Sequence, residues 1–220
     1  MINNYDLIRP LLKFDNEGDF YFIQVIKRRK DNPGLSKDNK LIDNFYVYSM
    51  DEFNAIEHKL LSQCELNNAR AYMRLNVRNA KKVGLFTLKK ITDYIISNDY
   101  RAIASAYHST CGEYHSDVDK KWVVDIDGIH LKYMDVIKDR INELHSKIIQ
   151  PTKQHKILAT IPTKTGFHII TNPFNVSLFK AKYVWGKTMF SERNEPVSTD
   201  GGVESPDVHK DNPTVLITNP

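Results

Sequence analysis

Cysteine is scarce in this sequence: two in 220 residues, Cys64 and Cys111, with no CxxC and no Cys/His cluster. That scarcity argues against a zinc site and points to a reducing cytoplasm, of a cell or of an infected host. No apolar run approaches about 18 residues, so no membrane span is expected. The opening MINNYDLIRPLLKF lacks a charged segment followed by an apolar one, so it does not read as a secretion signal. Internal repeats and low-complexity segments are missing too. The net charge is only +4, too small to name a partner.

What is present is ordinary globular composition, 41% hydrophobic and 26% charged, enough for one large domain or two small lobes. The basic residues are grouped: Lys27-Arg28-Arg29-Lys30, Lys81-Lys82, Lys89-Lys90 and Lys120-Lys121. Such groups suit a polyanion, because each phosphate contact releases counterions, but any one of them is also an ordinary solvated face.

Residues 1–120 read as a mixed α/β unit. DFYFIQVIKRR (19–29) is aromatic and β-branched, a strand, followed by the polar loop KDNPGLSKDNK. FYVYS (45–49) is a second strand. Ser49 and Glu52 form a capping-box signature for a helix running to about Leu66. ARAYMRLNVR (69–78) is a third strand, with Arg74, Asn76 and Arg78 alternating onto one face. VGLFTLKKITDYIISND is an amphipathic helix, and YRAIASAYHSTC another.

Residues 121–220 are more regular. KWVVDID is a strand. LKYMDVIKDRINELHSKIIQ carries Met134, Ile137, Ile141, Leu144 and Ile148 on one helical face, with Pro151 just beyond. HKILATIP and FHIITNPF are two strands joined by the turn TKTG. VSLFKAKYVW is a helix, Ser191 to Ser205 an exposed loop, and PTVLIT the closing strand. The order is β-α-β-β-α-β, a split βαβ or ferredoxin-like sheet with the first strand between the third and fourth.

Strand alternation puts Trp122, Val124 and Ile126 on a core face and Val123, Asp125 and Asp127 on the other. The two carboxylates then lie about 6–7 Å apart along the strand and repel each other unless a cation or donor intervenes. Mg²⁺ or Mn²⁺ favours such oxygen ligands and leaves positions for substrate phosphates. The spacing alone is weak: Asp117 and Asp119 repeat it between polar flanks and read as a solvated turn. The preceding apolar strand and the topology set the first pair apart, because the same sheet end gathers His168 and the segment SPDVHKDNP. The PTKTG turn adds Lys164, two hydroxyls and Gly166, a residue that lets backbone approach an anion. A lone strand histidine is more often structural than functional, but this one follows a lysine and a glycine turn beside an acidic pair.

VVDID, IPTKTGFHIIT and PDVHKDNPTVLITNP together resemble the three catalytic motifs of the archaeo-eukaryotic primase superfamily, in the primase-polymerase style. The resemblance covers 121–220 and implies an RRM-like palm packed with a smaller N-terminal α/β unit. It implies that Asp125, Asp127 and Asp207 hold Mg²⁺ or Mn²⁺, with Asp211 open as the third acid instead of Asp207. Lys164, Thr165, Gly166 and His168 would then bind the incoming nucleoside triphosphate. YMRLNVR looks like the Arg- and Asn-bearing strand that precedes the palm in related small primases. Arg74 and Arg78, with Arg28 and Arg29 in the first basic group, are candidates for contact with a single-stranded nucleic-acid template.

The expected activity is a metal-dependent nucleotidyltransferase adding nucleotides on that template. A helicase or other replication protein is a conceivable partner, a membrane is not, and small stand-alone primases often belong to mobile elements. Two alternatives stand beside this one. The first is a catalytically degenerate RRM-like module that only binds single strands. The second is a haloacid-dehalogenase-type phosphatase, in which the first Asp of VVDIDG would be the nucleophile. Ile129-His130 replaces the threonine usual there, and that fold needs an extended parallel sheet.

Overall fold

A computed structural model describes residues 1–35, 38–116, 118–144, 156–181 and 205–219. The chain forms two compact units, one of residues 1–120 with 213–220 and the other of residues 121–212.

The first unit is built on a five-stranded antiparallel sheet. Its strands are β1 (Ile2–Asn3), β2 (Asp19–Lys27), β3 (Lys40–Val47), β4 (Arg70–Asn79) and β9 (Thr214–Thr218), in the order β1-β9-β4-β2-β3. Alternation along β2 sends Tyr21, Ile23 and Val25 to one face, where all three are buried. Helices α1 (Tyr5–Ile8), α2 (Met50–Ala55) and α3 (Glu57–Asn67) supply further buried residues, including Tyr5 stacked on Phe53 at 4.3 Å. The alternate β2 residues Phe20 and Phe22 pack with Val83 of α4 (Ala80–Ile96) and Cys111 of α6 (Ala106–Glu113). Between those helices lies α5 (Tyr100–Ile103).

Local signals set several boundaries. Ser49 Oγ accepts from the Glu52 amide at 3.1 Å, and the Glu52 carboxylate accepts from the Tyr48 amide at 2.8 Å. The helix that opens there breaks at Ile56, so α2 and α3 replace one continuous helix. Asn68, at φ 45°, ends α3 in the left-handed region. Strand β3 starts at Lys40, five residues before the expected FYVYS, because the ladder with β2 continues to the Lys27–Lys40 pair past a bulge at Val25/Ile26.

The second unit has a four-stranded antiparallel sheet. Strands β5 (Trp122–Asp127), β6 (Ile157–Pro162), β7 (Gly166–Thr171) and β8 (Asp207–His209) stand in the order β6-β7-β5-β8. Helices α7 (Met134–Glu143) and α8 (Val176–Ala181) complete it, the first preceded by a 3-10 turn over Gly128–Tyr133. Trp122, Val124 and Ile126 of β5 join Ile137, Ile141, Leu144, Ile169, Phe174 and Phe179 in one core. The helix expected to run to 150 ends at Glu143, where Leu144 turns extended; Ile148 and Pro151 lie outside the described residues, as does most of the loop from Ser191 to Ser205.

One expectation is corrected. The sequence order places the closing strand PTVLIT in the sheet of the acidic pair, but Thr214–Thr218 pairs with β4 and β1 in the other unit. Every residue of that strand is buried, which suits a run of consecutive apolar residues held between two neighbours. The short β8 takes the place beside β5 instead. Among the described residues no helix is long and apolar enough to cross a membrane.

Candidate active site

Strand β5 is central, so its residues face partners on both sides. Asp125 is the register partner of His168 on β7 and of Asp207 on β8. The same register sets Asp127 opposite Gly166 and Val123 opposite His209. One face of the sheet therefore carries Asp125, Asp127, His168, Asp207 and His209, away from the Trp122/Val124/Ile126 core. Asp207, not Asp211, is the acid alongside Asp125; Asp211 lies in the bend after β8.

The electrostatics of this face are unbalanced. Asp125 Oδ1 is buried and accepts no hydrogen bond. His168 Nε2 lies 3.6 Å away, beyond hydrogen-bonding distance. Burial raises the Asp125 carboxyl above its usual range; the His168 and His209 imidazoles oppose the rise, and the Asp127 and Asp207 carboxylates add to it. Burial also holds His168 below the ordinary histidine value, against the pull of Asp125 and Asp127, with His209 lowering it further. At neutral pH the His168 ring is therefore neutral, with one N–H to donate.

The TKTG turn is tightly built. The Thr163 amide donates to the Gly166 carbonyl at 2.9 Å, and the Gly166 amide donates to Thr163 Oγ1 at 3.0 Å. Thr165 Oγ1 donates to Asp127 Oδ1 at 3.1 Å, and Lys164 is exposed at the tip. A methyl group on Gly166 would sit 2.0 Å from the Ile126 carbonyl oxygen and 2.4 Å from Asp127 Oδ1. The missing side chain thus serves close approach of β7 to β5. With its amide already bonded to Thr163, Gly166 has a use different from the expected anion contact.

The expected nucleic-acid contacts divide. Arg78 is fully buried, donating from Nε to the Cys111 carbonyl at 2.8 Å and from a terminal nitrogen to the Asn76 carbonyl. It is a core cation whose donors are turned to backbone, and the expectation that it meets a template is overturned. Arg74 is half-buried, with one terminal nitrogen near Gly112. Arg28 is half-buried and donates to the Tyr72 hydroxyl at 3.1 Å, while Arg29 is exposed. These arginines belong to the first unit and the acidic face to the second.

Sequence reading missed His209, although it lies two residues after Asp207 and strand alternation alone puts both on one face. It also missed the Arg70–Asp31 pair, which carried no motif.

A divalent cation suits this donor set in chemistry: carboxylates on two adjacent strands, one buried oxygen without a hydrogen bond, and a raised Asp125 carboxyl. Among the described residues, no three acid, histidine or cysteine side chains already stand close enough to enclose an ion. No protein-family model, curated protein or solved structure matches the chain.

Proposed function

We propose that this protein is a metal-dependent nucleotidyltransferase of the primase or primase-polymerase type, joining nucleoside triphosphates on a single-stranded nucleic-acid template. The observation that carries this reading is the placement of Asp125 between His168 and Asp207, with its Oδ1 buried and unsatisfied. The βαββαβ order and the strand order β6-β7-β5-β8 support an RRM-like palm.

In this reading Asp125, Asp127 and Asp207 would hold Mg²⁺ or Mn²⁺. The bound ion would supply charge neutralisation at the reacting phosphate. The neutral His168 ring donates to a phosphate oxygen without competing for the cation. Lys164, exposed at the turn tip, brings positive charge to the triphosphate, and Thr165 keeps Asp127 oriented through its hydroxyl. Arg28, Arg29 and Arg74 remain the template candidates. The phosphatase alternative is weaker, since it needs a parallel sheet and β5 pairs antiparallel on both sides.

The test is incubation of the purified chain with a single-stranded template, labelled nucleotides and Mg²⁺ or Mn²⁺. Products that require both template and metal support the reading. Salt-sensitive strand binding without product favours the degenerate binding module. Phosphate release from a simple ester, without strand binding, favours the phosphatase.

A further inference from the structure

Helix α4 presents a second, apolar face to solvent. Its 17 residues span about 26 Å, and the face turned toward the protein carries Val83 and Thr87, both buried. Leu85, Leu88, Ile95 and Ile96 are 60%, 64%, 50% and 74% exposed. With Thr92, their spacings of three and four place them on one stripe from Leu85 to the end of the helix. A lone exposed leucine needs no explanation, but a stripe of four large aliphatics does.

The charges around the stripe are of one sign at its start. Lys81 and Lys82 occupy the first turn, which holds no acidic residue, so they add to the positive end of the helix dipole. Lys89 lies further along the same edge and is exposed. Lys90 points elsewhere, donating to Ser109 Oγ at 2.7 Å and pairing with Glu113 of α6. Asp93 is the acidic residue along the stripe's edge.

We infer that this face of α4 docks an acidic amphipathic helix of a partner protein, independently of the Asp125 site. The partner's aliphatic residues lie along Leu85, Leu88, Ile95 and Ile96, and its carboxylates reach Lys81, Lys82 and Lys89. Charge complementarity selects this occupant. A second copy of α4 in antiparallel alignment brings the two Lys89 side chains together at the centre, and parallel alignment stacks the Lys81-Lys82 pairs.

The probe is a synthetic amphipathic helix of about 18 residues, matched in length to α4, with leucines on one face and glutamates on the other. Its binding to the full chain is measured by fluorescence anisotropy. Micromolar binding is expected, weakened at least about tenfold by Lys82→Glu/Lys89→Glu, by Leu85→Asn/Leu88→Asn, and by raised salt. All four positions are exposed, so circular dichroism melts of both variants should match the parent. Absence of binding, or equal binding of a peptide with lysines in place of the glutamates, overturns the inference. So does a dimer of the chain that Leu85→Asn/Leu88→Asn dissociates, which would make a second copy the occupant. Binding to phosphatidylserine vesicles lost in the same variants would overturn it in favour of a membrane surface.

Discussion

His168 Nε2 lies 3.6 Å from Asp125 Oδ1 across the β5–β7 ladder, each residue the other's register partner. Two half-buried titratable groups with opposite shifts make the stability of this unit depend on pH. His168 is depressed below 6.5 by burial, so on acidification the unfolded chain takes up a proton there that the folded chain refuses. Stability is lost as pH falls below about 6.5. The raised Asp125 carboxyl acts in the opposite sense, favouring the fold as pH falls through its own, more acidic range. In chelator, His168→Gln should therefore flatten the loss of Tm between about pH 7.5 and about pH 5.5. A variant that loses as much Tm as the parent, or more, between about pH 7.5 and about pH 5.5 would contradict this assignment.

Gly166→Ala tests the approach of β7 to β5. The new methyl would fall 2.0 Å from a backbone oxygen, and backbone cannot rotate away as a side chain does. The strands must separate, at a cost of about 1–3 kcal/mol or more, and Asp127 must move with them. Thermal unfolding should show the loss. Unchanged stability would mean that the ladder gives more readily than its geometry implies.

Arg78 and Arg29 should separate fold from binding. Arg78→Ala removes two charged hydrogen bonds from a fully buried site, a loss of at least about 2 kcal/mol visible in urea unfolding. Arg29→Ala should leave stability within about 0.5 kcal/mol. If Arg29 meets a phosphate, its loss lowers the salt slope of strand binding by about 1.

Arg70 and Asp31 form a two-pronged pair at 2.8 and 2.7 Å, with side chains only 5% and 9% exposed. Removing one partner strands the other charge, so Asp31→Ala should cost about 3–5 kcal/mol. Asp31→Leu/Arg70→Met should recover much of that loss in the same unfolding measurement, because no lone charge is then left buried.

The readable parts of the sequence were those that alternation alone decides. Trp122, Val124 and Ile126 face the core, and Asp125 and Asp127 do not, because a strand has two faces and apolar residues take one. Alternation also aligned Arg74 with Arg78, but it does not say what covers a face. The cover is supplied by α6, whose Cys111 carbonyl receives Arg78 from 33 residues away. The VLIT run reads equally well in either sheet, since a strand buried on both faces has no polar residue to fix its place. The choice between Asp207 and Asp211 was hidden for a related reason: it depended on which short segment pairs with β5, and three residues carry too little pattern. The Arg70–Asp31 pair spans 39 residues with no periodicity to announce it.

The most direct measurement is template-directed nucleotide incorporation by Asp125→Asn beside the parent chain, with melting curves for both. Asp125→Asn keeps the shape and removes a carboxylate that burial already disfavours, so its Tm should equal or exceed that of the parent. Incorporation should fall by about a hundredfold to a thousandfold, because the carboxylate that would hold the charge-neutralising metal is lost. Incorporation at the parent rate by a stably folded Asp125→Asn would contradict the account.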